Sequence, residues 1–260
     1  MQNLTDRLHI LHTTNDSTYT DHSQESFDFL QDEFTISKTI LVGFRKPLNS
    51  IYIRVKTPSE TPGSFTYSYW DGSTWTSMDV LDEARSLTRS GHIQWARELE
   101  NEATKTINGI TAYWYRLDQS VAENVTLWGI GGLLCSDQSL QIEYPSITHT
   151  SFYERYPAGT DTHIYSLVSA RDTICSQLNI SVWDLLNLPE ISTAASFLAL
   201  SKIFNSVSDR EDDKYSILSQ SYHEQYRALK SRLMITIDRN DNGKEDTGEK
   251  SSQSVVRFSR

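Results

Sequence analysis

The residues with the most chemistry in their spacing lie near the C-terminus, from Asp238 to Glu249. Asp238, Asn240 and Asn242 alternate along this run, Gly243 and Lys244 follow, then Asp246, with Glu249 at the end. A twelve-residue calcium loop needs oxygens at this rhythm. Asp238, Asn240 and Asn242 would offer side-chain oxygens, Lys244 its backbone carbonyl, Asp246 a water-mediated contact and Glu249 a bidentate carboxylate. Gly243 would allow the sharp turn between them. Two asparagines stand where carboxylates would hold a divalent ion more tightly, and Lys250, Ser251 and Ser252 make a poor exiting helix. The competing reading is an Asn/Gly turn with solvated charges. If calcium binds, the expectation is a structural clip of modest affinity, and no other cofactor is required.

Other reactive groups are scattered. Histidines occur singly at positions 9, 12, 22, 92, 149, 163 and 223, without a carboxylate at metal-ligand spacing and without an HExxH pattern. Gly129, Gly131 and Gly132 do not form a dinucleotide fingerprint. No GxSxG elbow, P-loop or Cys/His nucleophile pair is present. Carboxylate neighbours such as Asp82 and Glu83 nominate no glycosidase pair. The reading is therefore a chain that is not an enzyme. Cys135 and Cys175 lie far apart and read as reduced, buried, small apolar residues.

Five of the six tryptophans fall between Trp70 and Trp128, with Trp183 apart. Core packing explains them most simply. Indoles also stack on sugar faces, so Trp70, Trp75, Trp95 and Trp114 are candidate platforms for a carbohydrate or receptor.

The elements that must position these groups follow from periodicity. With 260 residues and 11% aromatics, the chain can build one large core or two ordinary ones. Residues 1–26 are polar and read as an N-terminal arm or an early strand. From 27 to 135, apolar and polar residues alternate with turn punctuation, as at Thr39–Phe44, Ser50–Val55, Ser64–Trp70 and Trp75–Val80, with Asp71 and Gly72 as a hairpin turn. Short aromatic strands follow at 91–97, 111–117 and 125–130. This pattern predicts an antiparallel β-sandwich. Residues 136–162 lack a helical period and read as a connecting segment with little regular structure.

After His163 the period lengthens to that of a helix. The spacing predicts one helix over Ile164–Leu178, a short element stopping before Pro189, and a second helix carrying Ile191, Ala194, Ala195, Leu198, Ile203, Phe204 and Val207. A third carries Tyr215, Leu218, Tyr222, Tyr226, Leu229 and Leu233. Short polar links imply an antiparallel α-helical bundle over 163–237, so the fold class is α+β. Residues 238–260 form the loop and a tail in which Val255, Val256 and Phe258 are candidates for docking on a partner.

The charge of −10 argues against gripping phosphate backbones, yet suits a surface that DNA slides past. The N-terminus lacks the apolar run of a signal peptide, and no stretch is long and apolar enough for a membrane span. A cytoplasmic protein, or part of something assembled in a cytoplasm, is expected.

The order of parts in the last hundred residues resembles the head–tail connector (adaptor, or neck) proteins of tailed bacteriophages. A helix at Tyr165–Leu178 is followed by a hydrophobic pair of elements through Val207 and a short acidic break at Ser208–Lys214. A long Tyr/Leu helix then runs into Leu233–Asp238 and the Asp/Asn/Gly loop. Tyr69–Trp75, Ser90–Trp95 and Asn108–Leu117 resemble β-sandwich modules of phage tail and baseplate proteins. The resemblance implies a homo-oligomeric ring, commonly dodecameric, seated below the portal protein and contacting tail or neck proteins. Genomic double-stranded DNA would pass through its lumen without sequence-specific binding and without a membrane. It also implies that the subunits pack through the helical domain, whose apolar stripes need neighbours, and that the location is the neck of the virion, assembled in the bacterial cytoplasm. The alternative is a carbohydrate- or receptor-binding module of a phage tail or baseplate.

Overall fold

The computed structural model describes residues 8–23, 33–60, 65–96, 99–120, 123–153, 162–210, 213–246 and 248–252. The protein is a mixed α+β chain, with antiparallel sheets in its N-terminal half and four helices toward the C-terminus. It divides into two compact units: residues 1–132 with 240–244, and residues 133–239 with 245–260.

The first unit holds two sheets. The seven-stranded sheet contains β1 (His9–Thr13), β2 (Thr20–Asp21), β4 (Thr39–Phe44), β6 (Phe65–Trp70), β7 (Trp75–Ser77), β10 (Thr104–Ile107) and β11 (Ile110–Gln119). Its order is β2-β1-β4-β11-β6-β7, with β10 also paired to β11. The five-stranded sheet runs β3-β12-β5-β9-β8, built from β3 (Phe34–Ile36), β5 (Ser50–Thr57), β8 (Val80–Asp82), β9 (Gly91–Trp95) and β12 (Val125–Gly131). Every pairing is antiparallel.

Turn chemistry sets the registers. Trp70 faces Trp75 across Asp71–Thr74, where the Asp71 carboxylate accepts the Ser73 and Thr74 amides at 2.8 and 2.7 Å. Ile107 faces Ile110 across Asn108 and Gly109, both with positive φ, as a two-residue hairpin turn requires. That Asn-Gly pair was the signal for β10, which the alternation alone does not announce.

Residues 9–13 and 20–21 are strands at one edge of the seven-stranded sheet, the early-strand alternative for this part of residues 1–26. Its pattern is masked because β1 packs both faces: Ile10 and Leu11 are each fully buried. The return expected over Trp75–Val80 is divided, with β7 in one sheet and β8 beginning the other.

Both faces of the central strands are covered. In β4 all six residues are buried, and in β5 Tyr52 and Arg54 are buried along with Ile51 and Ile53. Trp95 of one sheet meets Tyr115 of the other at 4.7 Å between ring centroids, within the range of favourable aromatic pairs. A second cluster of Leu11, Leu41, Ile107, Ala112 and Trp114 forms on the other face of the larger sheet, edged by Tyr19, Trp75 and Ile110. Gly43 makes room for it: a Cβ there would lie 2.6 Å from the Trp114 ring.

The second unit is built on α3 (Leu188–Val207), with α1 (Asp137–Glu143), α2 (Ile164–Leu178) and α4 (Lys214–Lys230). The connecting segment therefore contains a helix the period does not reveal. Seven residues are too few to establish a stripe, and Leu140 is its one buried side chain. Ser136 supplies a capping box with Ser139 that starts it. Asp137 accepts the Thr162 hydroxyl and, at 2.9 Å, the His163 amide, thereby serving the start of α2. Asn179 ends α2 in the left-handed conformation.

Pro189 sits in the first turn of α3, as its fixed φ favours. Asp213 caps α4 by accepting the Ser216 amide at 2.7 Å. That hydrogen bond, helped by the amides of Asp209 and Arg210, holds its carboxyl at about 2. The α3 and α4 helices run antiparallel, since Phe204 meets Tyr215 while Phe197 meets Tyr222. Beyond α4, β13 (Met234–Thr236) and β14 (Lys250–Ser252) form a hairpin. It is tied to the segment before α3 by the Leu186 amide on the Thr236 carbonyl and the Asp238 amide on the Asp184 carbonyl.

Candidate functional site

The hairpin tip carries the candidate cation ligands, and the structure divides them. Asn240, Asn242 and Lys244 belong to the sheet unit, whereas Asp238, Asp246 and Glu249 belong to the helical unit. The side-chain oxygens of Asn240, Asn242 and Glu249 already accept backbone amides. Both Glu249 oxygens accept backbone amides, one from Arg239 at 2.9 Å and one from Asp246 at 2.8 Å. Asn240 Oδ1 accepts the Asn242 amide at 3.2 Å, and Asn242 Oδ1 accepts the Lys244 amide at 2.7 Å. Among the described residues, no group of three or more His, Cys, Asp or Glu side chains is arranged to hold a metal ion. Successive side-chain-to-backbone turns, which Asn and Asp favour, shape residues 240–244.

Asp241, which the calcium spacing passes over, makes the strongest charged contacts of the tip. Its carboxylate lies 2.6 Å from Arg45 Nη1 and 3.1 Å from Lys46 Nζ. The Arg45 hydrogen bond, followed by Lys46, holds its pKa below the usual carboxylate range. Gly243 packs against Pro47, and a Cβ on it would sit 2.6 Å from the Pro47 Cβ. Nearby in the same unit, burial raises Glu102 to about 7, against the opposing effects of the Tyr115 hydroxyl and Lys244.

The tryptophans do not form an exposed row. Trp95 and Trp114 are 7% and 1% exposed, and their indole N–H groups donate to the Leu48 and Lys105 carbonyls. Neither is a stacking platform, which corrects that part of the sugar-binding expectation. Trp70, Trp75 and Trp128 are half-buried. Lys105 Nζ lies 3.4 Å from the Trp70 centroid and 5.3 Å from that of Trp75, and the Arg116 guanidinium is 5.6 Å from Trp75. Lys56 and Arg54 lie over Trp128 at 4.7 and 5.1 Å. These cation–π contacts occupy faces a sugar would need.

The apolar stripe of α4 packs in part against its own chain. Phe204 lies 6.1 Å from Tyr215 and 5.6 Å from Tyr222, while the buried Tyr226 donates its hydroxyl to Gln177. Tyr215, Leu218, Tyr222 and Leu229 of the stripe remain half-buried. Outward on α4 are Ile217, Ser221, Glu224 and Ala228, together with Lys214, Gln220, Gln225 and Arg227. Ile217 is 60% exposed, and Ile142 and Met234 of the same unit are 79% and 49% exposed.

The histidines stay dispersed in role. His163 is buried with its Nε2 3.0 Å from the Ile147 carbonyl oxygen, and His92 Nδ1 is 3.3 Å from Glu83. His9 and His12 occupy a strand, so they do not share a helix face. Neither Cys135 nor Cys175 is in a disulfide; burial pushes Cys175 up to about 12, which disfavours its thiolate at neutral pH. Among the described residues, no helix is long and apolar enough to cross a membrane. Val255, Val256 and Phe258 lie outside the described residues.

No family model matches the chain. No curated protein matches it either. Similar solved structures include CpGH89CBM32-6 produced by Clostridium perfringens, at 13% identity and a TM-score of 0.31. Another is chitosan-binding module 1 of a chitosanase/glucanase from Paenibacillus sp. IK-5, at 12% identity and 0.30. Each comparison covers 49% of this chain and 94% of the other. At that similarity neither neighbour bears on what this chain binds.

Proposed function

We propose that this chain is a structural protein of a tailed-bacteriophage particle, the subunit of a ring-shaped head–tail connector between portal and tail. In finer terms, its front half is an antiparallel β-sandwich and its rear half an antiparallel helical bundle. The observation that carries the reading is the packing order of residues 164–236. A first helix, a buried central helix, the break at Ser208–Lys214 and a one-sided Tyr/Leu helix follow one another, an order that supports the connector resemblance. The outward residues Ile217, Ile142 and Met234 of the helical unit, with Leu81 of the sheet unit, are exposed apolar groups available for contacts between copies. The ring is built from like subunits, sits on the portal protein in the virion neck, and passes DNA without gripping it, in keeping with the net charge of −10.

The rival reading, a carbohydrate- or receptor-binding tail module, keeps Trp70, Trp75 and Trp128 as half-buried indoles. The cations over their rings weigh against it. Sedimentation of the purified chain, alone and mixed with portal protein, separates the two. A ring-sized species, or comigration with portal, is the expected result. A chain that stays monomeric and never joins the portal overturns the connector reading.

A further inference from the structure

The hairpin tip does hold cations, but they are side chains of the chain itself. We propose that residues 240–244 are an electrostatic clasp, seated on Arg45, Lys46 and Pro47, which loss of the Asp241 charge or high salt releases and which calcium does not govern. The proposal is independent of the connector reading, because a monomer can carry the clasp.

Several features of the sheet unit converge on it. Asp241 reaches both basic groups at once, Arg45 at 2.6 Å and Lys46 at 3.1 Å. The Lys46 side chain is only 1% exposed, so water is a poor substitute for the carboxylate that faces it. The Asp241–Arg45 pair is more open, at 48% and 37% exposure, and is the part that salt screens. Asp241 and Gly243 both adopt positive φ, at 61° and 70°, which turns the tip sharply enough to seat it. Asn240 and Asn242 preform that turn by accepting the amides two residues on. Lys244 adds an attraction to the half-buried Glu102. The asparagine-rich spacing thus shapes a backbone that presents one aspartate, instead of assembling ligands around an ion.

Trypsin reads the clasp directly in the full-length chain, because Arg239 and Lys244 flank the seated residues. A segment is cut in proportion to how often it opens. The wild-type chain is expected to be cut slowly at both sites in low salt, and faster in about half-molar salt. Asp241→Asn is expected to be cut at least about tenfold faster at low salt. Gly243→Ala keeps every charge but brings a Cβ against Pro47, and it too is expected to be cut faster. Arg45→Gln removes the exposed partner alone and should show an intermediate rate. If Asp241→Asn fails to fold, as judged by near-UV circular dichroism, the other two variants still decide. Added calcium or a chelator should leave every rate unchanged. Wild-type cleavage rates in Gly243→Ala and Arg45→Gln overturn the clasp, as does protection that appears only with calcium.

Discussion

The sheet unit and the helical unit bury their aromatics by different routes. In the sheet unit, Trp95 packs on Tyr115 between the two sheets, and Trp114 closes over Leu11, Leu41 and the glycine at 43 from far along the chain. In the helical unit, Phe204 gathers Tyr144, Phe152, Tyr215 and Tyr222 within 5.0 to 6.1 Å, two of them on the adjoining α4. The first arrangement depends on strand order, the second on helix period and short links. Distant pairing costs more chain entropy before contacts reward it, so the sheet unit should be the slower to form.

The largest effects test whether the two clusters are equally central. Trp114→Ala and Phe204→Ala should each destabilise by about 3–5 kcal/mol, measured by urea unfolding with indole fluorescence and helical circular dichroism as separate signals. A Trp114→Ala cost below about 1 kcal/mol would reduce the outer-face cluster to decoration. Next comes the close approach of the helices. Ala199 is fully buried on α3, and Ala199→Leu should cost about 1–3 kcal/mol through overpacking.

The capping of α1 is smaller. Ser136→Ala should cost about 0.5–2 kcal/mol, because the buried hydroxyl accepts the Ser139 amide. An unaffected melting temperature would mean that α1 is held by packing alone.

Protonation distinguishes the units again. Glu102 titrates at about 7 in the folded sheet unit, above its ordinary 4.5, because burial disfavours its charge. A raised carboxyl pKa means the folded state binds more protons. Its stabilising contribution is present below 4.5 and is lost as pH rises through about 7. Melting temperature should therefore fall between pH 5 and 8 by this group's contribution, and Glu102→Gln should flatten that part of the profile. The smallest effect on folding is expected at Ile217. Ile217→Ser should change stability by no more than about 0.5 kcal/mol. The same change should weaken self-assembly or portal binding in sedimentation; unchanged assembly would remove α4's outer face from the ring contact.

How much was legible follows from the kind of signal. Strands β4, β5 and β6 and helices α2 and α3 were readable because alternation, the 3.6-residue period and Pro189 are local. Helix α1 and strands β1, β2 and β10 were not, being short or buried on both faces. Among candidate site residues, the loop's turn character was readable from Asn240, Asn242 and Gly243, whereas its charged partners were not. Arg45 is 196 positions from Asp241, and no spacing rule spans that distance.

By itself the sequence determined the change from strand to helix rhythm, the hairpin turns and the start of the central helix, since each depends on neighbouring residues. Only the tertiary structure decided which faces were covered. It seated the α4 stripe on Phe204, put cations over the half-buried indoles, and brought Arg45 and Lys46 to Asp241 at the hairpin tip. Periodicity names the apolar side of an element; what lies against that side depends on where the rest of the chain returns.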